Sequence, residues 1–253
     1  PNAGSDLAAL RTEAVLDGDD WVVNGQKIWT TLAGDAQWIF ALVRTDKAVK
    51  KQEGISFLLI PMDSPGVTVR PIINIDLQDE FSEVFFDNVR VPRDNLVGEV
   101  NQGWTMAKNL LGMERIFLGS PRQAANALAR LHRLAVHYGC EEDLHFVARF
   151  TEFRLRLADH ECLFERIADG LRQGRRLGPE VSFLKLNQSQ LFQQITEYGL
   201  ELAGCDGGLL EPLNGQRELN PMGQFLVSRA STIYGGASEV QRNILAKAVL
   251  ALP

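Results

Sequence analysis

Near Gly98 the spacing of apolar residues changes period, and one kind of secondary structure cannot serve both halves of the chain. Before it, short apolar runs alternate or nearly alternate with polar residues. WVVNGQKIW (21–29), QWIFALVRT (37–45), GISFLLIPM (54–62), VTVRPI (67–72) and SEVFFDNVRVP (82–92) read as strands bounded by charge, Gly and Pro. Asn24-Gly25, with an apolar run on either side, predicts a hairpin turn. Short strands at such close spacing predict a small β-barrel or sandwich-like domain over residues 1–98. After Gly98 the apolar residues recur every three or four positions, which is helical spacing. Helices are expected over 102–119, from Pro121 onward, over 143–170, 179–203, 222–234 and 238–250. In the third of these, Phe146, Phe150, Phe153, Leu157 and Phe164 recur at roughly a helical turn. Residues 99–253 are thus expected to form an up-down four-helix-bundle-type domain, and the chain to be an α+β protein.

Charge divides at the same place. Residues 1–98 carry nine basic and fifteen acidic side chains, residues 99–253 carry seventeen of each, and the chain carries a net −6. That balance argues against nucleic acid as a partner. The cysteines, Cys140, Cys162 and Cys205, are odd in number and contain no CxxC, which fits a reducing compartment and neither a disulfide framework nor a zinc site. His132, His137, His145 and His160 form no HExxH, so no metal is expected. No apolar run reaches the ~18 residues of a membrane span, so none is expected. The chain opens on Pro1 rather than Met, and further sequence is expected upstream. There is no GxGxxG after a strand, no GxxxxGK[ST] and no GxSxG, which removes the common dinucleotide, P-loop and serine-hydrolase readings.

Three segments remain as candidate chemistry. In QGWTMAKNLLGMERIFLGS, Trp104, Ala107, Leu111, Glu114 and Leu118 share one helix face, and Met106, Leu110, Met113 and Phe117 form an adjacent stripe. A helix apolar over so wide an arc is expected to be largely buried, with Glu114 facing packed surroundings. A carboxylate there is either half of a buried ion pair or a desolvated general base. Gly235-Gly236-Ala237-Ser238 precedes the last helix, where Ser238 is expected as N-cap and Gln241 as the other half of a capping box. Such a terminus either is simply capped or holds an anion on its N–H groups. Ala3-Gly4-Ser5-Asp6 is a small-residue loop, and Lys27-Ile28-Trp29-Thr30-Thr31 sets an aromatic and two hydroxyls at a strand end, where a Trp is usually core.

PNAGSDLAALRTEA, WVVNGQKIWTTLAGDAQWIFALVRTD, FFDNVRVPRDNLVGEVNQGW and IYGGASEVQRNILAK, in that order, resemble the acyl-CoA dehydrogenase family from Pro1 to about Lys247. The resemblance covers the family's middle β domain and C-terminal helical domain, without the N-terminal helical domain. It implies FAD, bound in a cleft between the two domains, as cofactor. It also implies oxidation of an acyl-CoA thioester to the trans-2-enoyl-CoA, and an electron-transfer flavoprotein as electron acceptor. A dimer or tetramer completed by a neighbouring subunit follows, either homo-oligomeric or a heteromer with a related subunit, in the cytoplasm or a mitochondrial matrix. By the same resemblance, Gly4 and Ser5 lie in the loop that touches the flavin side of the site and CoA. Trp29 lies beside the flavin ring, Thr31 bonds the ring near N5, and Gly236, Ala237 and Glu239 lie against FAD.

The sequence departs from the family pattern at three points. Many members carry the catalytic Glu where this chain has Gly235, while a subset places it on the first bundle helix, at the position of Glu114. A frequent Thr of the final turn is Ala237. The usual Arg-x-x-Phe-Gly segment, whose Arg reaches a neighbour's FAD pyrophosphate, is replaced by HYGCEEDLHF (137–146). That replacement points to family branches with two different paired subunits, including bacterial steroid side-chain dehydrogenases. The readings that follow are a dehydrogenase with Glu114 as base, a non-catalytic partner subunit, or a same-fold oxidase or monooxygenase.

Overall fold

The computed structural model describes residues 3–252, apart from the burial of 112 and the side chain at 115; Pro1, on which the expectation of upstream sequence rests, lies outside them. The chain forms two compact units that divide between Leu111 and Gly112, inside a helix.

In the first unit, six strands form one mixed sheet in the order β4-β3-β1-β2-β6-β5. They are β1 (Glu13–Asp17), β2 (Asp20–Thr31), β3 (Trp38–Arg44), β4 (Ile55–Pro61), β5 (Val67–Ile72) and β6 (Phe81–Pro92). Neighbours run antiparallel except β1 and β3, which meet in parallel at Glu13 and Arg44. Alternate residues fill the core: Trp21 and Val23 on β2, Ile39, Ala41 and Val43 on β3, Leu58 and Ile60 on β4. Each fully buried aliphatic side chain contributes about 1.5–3 kcal/mol. Buried Arg44 donates to the carbonyls of Ala8, Leu10 and Lys51, which ties two loops to the sheet. Thr45 Oγ1 bonds Ser56 Oγ at 2.7 Å and Asn101 Oδ1 at 2.6 Å. Asn101 N–H donates to the same Ser56 at 2.8 Å, fixing the segment that enters the first long helix.

The predicted hairpin at Asn24-Gly25 is not there. The turn is Gly18-Asp19, and Asn24-Gly25 lies inside the continuous strand β2. The reason is tertiary. Gly25 has φ +137°, and a Cβ on it would stand 2.7 Å from Thr12 Cα, so the glycine serves a close backbone approach. Opposite it β6 carries a bulge. Asn88 takes φ +50° and its N–H donates to Asn24 Oδ1 at 2.8 Å. The bulge shifts the phase of β6: Ser82, Val84 and Phe86 are buried before it, Val89 and Val91 after it.

The helices are α1 (Gly103–Leu118), α2 (Arg122–Tyr138), α3 (Leu144–Arg172), α4 (Val181–Ala203), α5 (Pro221–Arg229) and α6 (Ser238–Ala248). In the second unit, α4 packs against α2, α3, α5 and α6. Ala124, Leu128 and Leu131 of α2, Phe146, Phe153 and Leu157 of α3, and Leu191, Phe192 and Ile195 of α4 form the main core. Asp143 caps α3 by accepting from the N–H groups of His145 and Phe146. Asn220 caps α5 by accepting from Gly223 N–H at 2.7 Å.

The expected burial of α1 needs correction. Ala107 is buried, but Leu110, Leu111, Met113 and Phe117 are exposed, Phe117 at 79%. An apolar arc records the total cover a helix can use, and the described residues supply one side of it.

Candidate active site

Glu114 stands in the last turn and a half of α1 and is half-buried, less enclosed than its apolar neighbours suggest. Leu118, one turn further along the same face, meets the glycine turn before α6. Gly235 has φ +63°, and a Cβ added there would collide with Leu118 Cδ1. The position is therefore closed to a side chain on two grounds, backbone conformation and space. Gly236 follows with φ +92°, and a Cβ on it would collide with Gln241 Nε2.

The expected capping box at α6 does not form. Ala237, at φ −53° and ψ 147°, is the N-cap, and it offers no side-chain oxygen. Ser238 has become the first helical residue, so its hydroxyl is displaced from the capping position, and its buried Oγ has no partner. Gln241 instead reaches back with Nε2 to the carbonyls of Gly235 and Gly236, both at 3.4 Å, and its Oε1 is unpaired. On α4, the ammonium of buried Lys185 also lacks a hydrogen-bond partner, and burial pushes it down to about 8. The backbone N–H groups at the start of α6 are thus uncapped by any side chain, beside a concentration of unpaired polar atoms. That is a donor set for an anionic or polar ligand. Glu239 is exposed in the first turn of α6, with Arg242 at 3.7 Å.

The same end of α1 is also held from α3 and α4. His160 of α3 is fully buried, and its Nε2 lies 2.8 Å from the carbonyl oxygen of Gly119. Asn187 Nδ2 of α4 lies 3.2 Å from the other ring nitrogen. An amide N–H₂ can only donate, so Nδ1 accepts and Nε2–H donates to Gly119: the ring is neutral in one tautomer. Burial lowers its pKa. Gln188, oriented to satisfy both ends of its amide, donates to Ser120 O at 3.3 Å and accepts from Ala124 N–H at 3.2 Å. No motif in the sequence assigns His160 a role. The signal was its spacing: it continues the buried face of Phe146, Phe153 and Leu157 on α3.

In the β unit, Trp29 is not core. It is 59% exposed and sits in a second irregularity of β2, between Lys27 and Thr30, with φ +62°. A left-handed backbone on a bulky residue costs about 1–3 kcal/mol, and here the strain turns an aromatic face outward. Phe81 packs edge-on against it at 6.1 Å. Thr31 ends the strand, exposed and paired with Phe81. Lys27 on the same strand donates to Leu42 O at 2.6 Å, and burial pushes it down to about 8. Gly4 and Ser5 form an exposed bend before the turn at Leu7–Ala9. Within units, the structure thus sets Leu118, one helical turn from Glu114, against Gly235 of the turn before α6, and Trp29 beside Thr31 on one strand.

Among the described residues, no group of three or more His, Cys, Asp or Glu could hold a metal ion, and no helix is long and apolar enough to cross a membrane.

Comparison with known proteins gives two family models, "Acyl-CoA dehydrogenase, middle domain" over residues 1–89 and "Acyl-CoA dehydrogenase, C-terminal domain" over residues 101–250. The chain is 38% identical over its whole length to acyl-CoA dehydrogenase IpdE1 of Mycobacterium tuberculosis, of which it spans 65%. Among solved structures, the Tcur3481-Tcur3483 steroid ACAD superposes with a TM-score of 0.91 at 26% identity, covering all of this chain and 66% of that one. The ChsE4-ChsE5 complex from Mycobacterium tuberculosis superposes with a TM-score of 0.79 at 32% identity, covering all of this chain and 67% of that one.

Proposed function

This chain belongs to the acyl-CoA dehydrogenase family, and on that premise we propose that its middle and C-terminal domains serve the α,β-dehydrogenation of an acyl-CoA thioester to the trans-2-enoyl-CoA, with Glu114 as the base. The observation that carries this reading is the contact of Leu118 with Gly235. The turn where many family members place a carboxylate has no room for one. The α1 face that fills the space carries a carboxylate one turn away.

The residues fit FAD. Trp29 offers an exposed aromatic face and Thr31 an exposed hydroxyl. Gly236, Ala237 and Glu239 offer backbone at an uncapped helix start, with the unpaired Ser238 hydroxyl beside it. FAD, when bound, supplies the two-electron acceptor for the β-hydrogen. Glu114 takes the α-proton, which the thioester carbonyl acidifies. Glu114 becomes the neutral acid as the proton moves onto Oε, and the exposed apolar arc of α1 is suited to excluding water from an acyl chain. Gly4, with open space where a Cβ would stand, and the exposed Ser5 beside it are proposed to approach CoA. An electron-transfer flavoprotein is the proposed acceptor of the electrons, and a related subunit the proposed oligomeric partner. The likenesses to Tcur3481-Tcur3483 and to the ChsE4-ChsE5 complex, each named for two components, favour a heteromer over a homotetramer.

The test is Glu114→Gln in the full-length protein. A general base of this kind contributes about 100- to 10,000-fold, so anaerobic bleaching of the flavin by a panel of acyl-CoAs is expected to slow by at least the lower figure. Bleaching at the wild-type rate removes Glu114 from the mechanism. A second reading, a non-catalytic subunit that completes a partner's site, is favoured by HYGCEEDLHF, which forms the end of α2, a loop and the start of α3. It requires that the purified full-length protein be colourless alone and yellow only when co-expressed with its partner.

A further inference from the structure

We propose that His160 is a positioning residue for Glu114, acting through the carbonyl of Gly119. This inference rests on the reading of Glu114 as the base. The last carbonyls of a helix have no partner within it, and a buried one must find a donor elsewhere. Gly119, directly after α1, is buried, and its carbonyl takes the Nε2–H of His160 at 2.8 Å. The donor is itself fixed. Asn187 holds the opposite ring nitrogen at 3.2 Å, and the ring is fully buried, so it can neither rotate nor exchange tautomer without losing a bond. A three-residue relay therefore runs from α4 through α3 to the end of α1.

This bond secures the turn that contains Glu114. Its neighbours at the corner do related work. Gln188 grips Ser120 and Ala124, and Leu118 fills the space against Gly235. These hold the α1–α2 corner and one side chain. Among the described residues, His160 is the side chain that binds the carbonyl at the helix end. Release of that carbonyl lets the last turn of α1 unwind or swing, and a carboxylate that must meet an α-carbon at van der Waals distance then loses its aim. Displacement of about 1 Å is enough to cost a large factor in rate while leaving most binding contacts in place.

The role is also chemically specific. The position needs one donor toward Gly119 and one acceptor toward Asn187. Gln can supply both, with its amide N–H₂ and its oxygen. Leu can fill the volume and supply neither.

The experiment compares the full-length, FAD-loaded wild type with His160→Gln, His160→Leu and Asn187→Ala, and with Cys162→Ser as a control at an exposed site on α3. Deuterium uptake by the peptide spanning 112–120 reads the clamp without any substrate. Anaerobic flavin bleaching by butyryl-CoA and octanoyl-CoA, as a function of thioester concentration, separates rate from affinity. His160→Leu is expected to raise deuterium uptake and to slow bleaching by about ten- to a hundredfold, with thioester affinity changed less than about threefold. His160→Gln is expected to restore most of both, Asn187→Ala to fall between, and the control to match wild type. If His160→Leu does not fold, the Asn187→Ala and His160→Gln pair decides alone. Equal uptake in all variants overturns the clamp. Raised uptake with an unchanged bleaching rate, or a loss shared equally by rate and affinity, overturns the positioning role. Failure of the underlying reading looks different: Glu114→Gln then bleaches at the wild-type rate whatever stands at 160.

Discussion

In the β unit the buried guanidinium of Arg44 gives its N–H groups to three carbonyls, whereas in the helical unit the buried ammonium of Lys185 has no hydrogen-bond acceptor among the described residues and feels only the charge of Glu239. The same contrast runs through the neighbours of each. Thr45, Ser56 and Asn101 close a hydrogen-bonded triangle. Ser182, Ser238 and Gln241 each leave a buried polar atom unpaired, on α4 or at the start of α6. Burial of polar atoms without partners is costly, and a fold retains the cost where something else benefits. Around Arg44 and Thr45 the β unit has used its polar groups to build itself, although the buried Trp21 Nε1 on β2 is unpaired. The helical unit has reserved some at the α6 turn, the segment to which the family resemblance assigns the cofactor.

Substitution can break this contrast. The largest expected effect is Arg44→Met, which leaves the carbonyls of Ala8, Leu10 and Lys51 without a donor. It is expected to destabilise the β unit by about 3 kcal/mol, measured as a lowered urea midpoint. Next is Gly235→Ala, which must adopt φ +63° and displace Leu118. A cost of about 1–2 kcal/mol is expected in the helical unit, with a disproportionate fall in flavin bleaching if the turn and α1 work together. The smallest effect has the opposite sign. Lys185→Met removes a buried charge with no hydrogen-bond partner, and is expected to stabilise the chain by about 1 kcal/mol in the same assay. An equal loss from Arg44→Met and Lys185→Met would erase the comparison.

The pH dependence sharpens it. Burial holds Lys185 at about 8, against 10.5 when it is free of the fold. Between those values the unfolded chain binds more protons than the folded one, so stability rises with pH across that window. Urea midpoints at the two ends of the window are expected to show the rise in wild type. Lys185→Met is expected to lose the part due to the helical unit. The part due to Lys27, also lowered to about 8 by burial in the β unit, should remain.

The change of period at Gly98 was legible because alternation and helical spacing are properties of neighbouring residues. The helices at 144–172 and 181–203 fall within a few residues of where their apolar faces predicted them. The Asn24-Gly25 hairpin failed because its glycine answers to Thr12, a contact no local pattern contains. The Ser238 cap failed by one residue, since a string of small residues does not say where the first helical turn begins. At the candidate site, the missing side chain at 235 was visible as a departure from the family pattern, and Leu118 supplies its physical counterpart. His160 was visible only as spacing. Its meaning came from Gly119 and Asn187, which are 41 and 27 residues away along the chain.

The bulge at Asn88 gives β6 two reading frames. Even-numbered residues face the core up to Phe86, and odd-numbered ones from Val89 onward. Heritable change along the strand should follow that switch. Charged residues are tolerable at 83, 85 and 87 on one side and at 90 and 92 on the other. Deletion of Asn88 alone would leave Asp87 as the single outward residue between Phe86 and Val89, so Val89 and Val91 would keep facing the core and the pairing with β2 would become regular, whereas a deletion anywhere else in the strand with the bulge kept would turn one frame inside out.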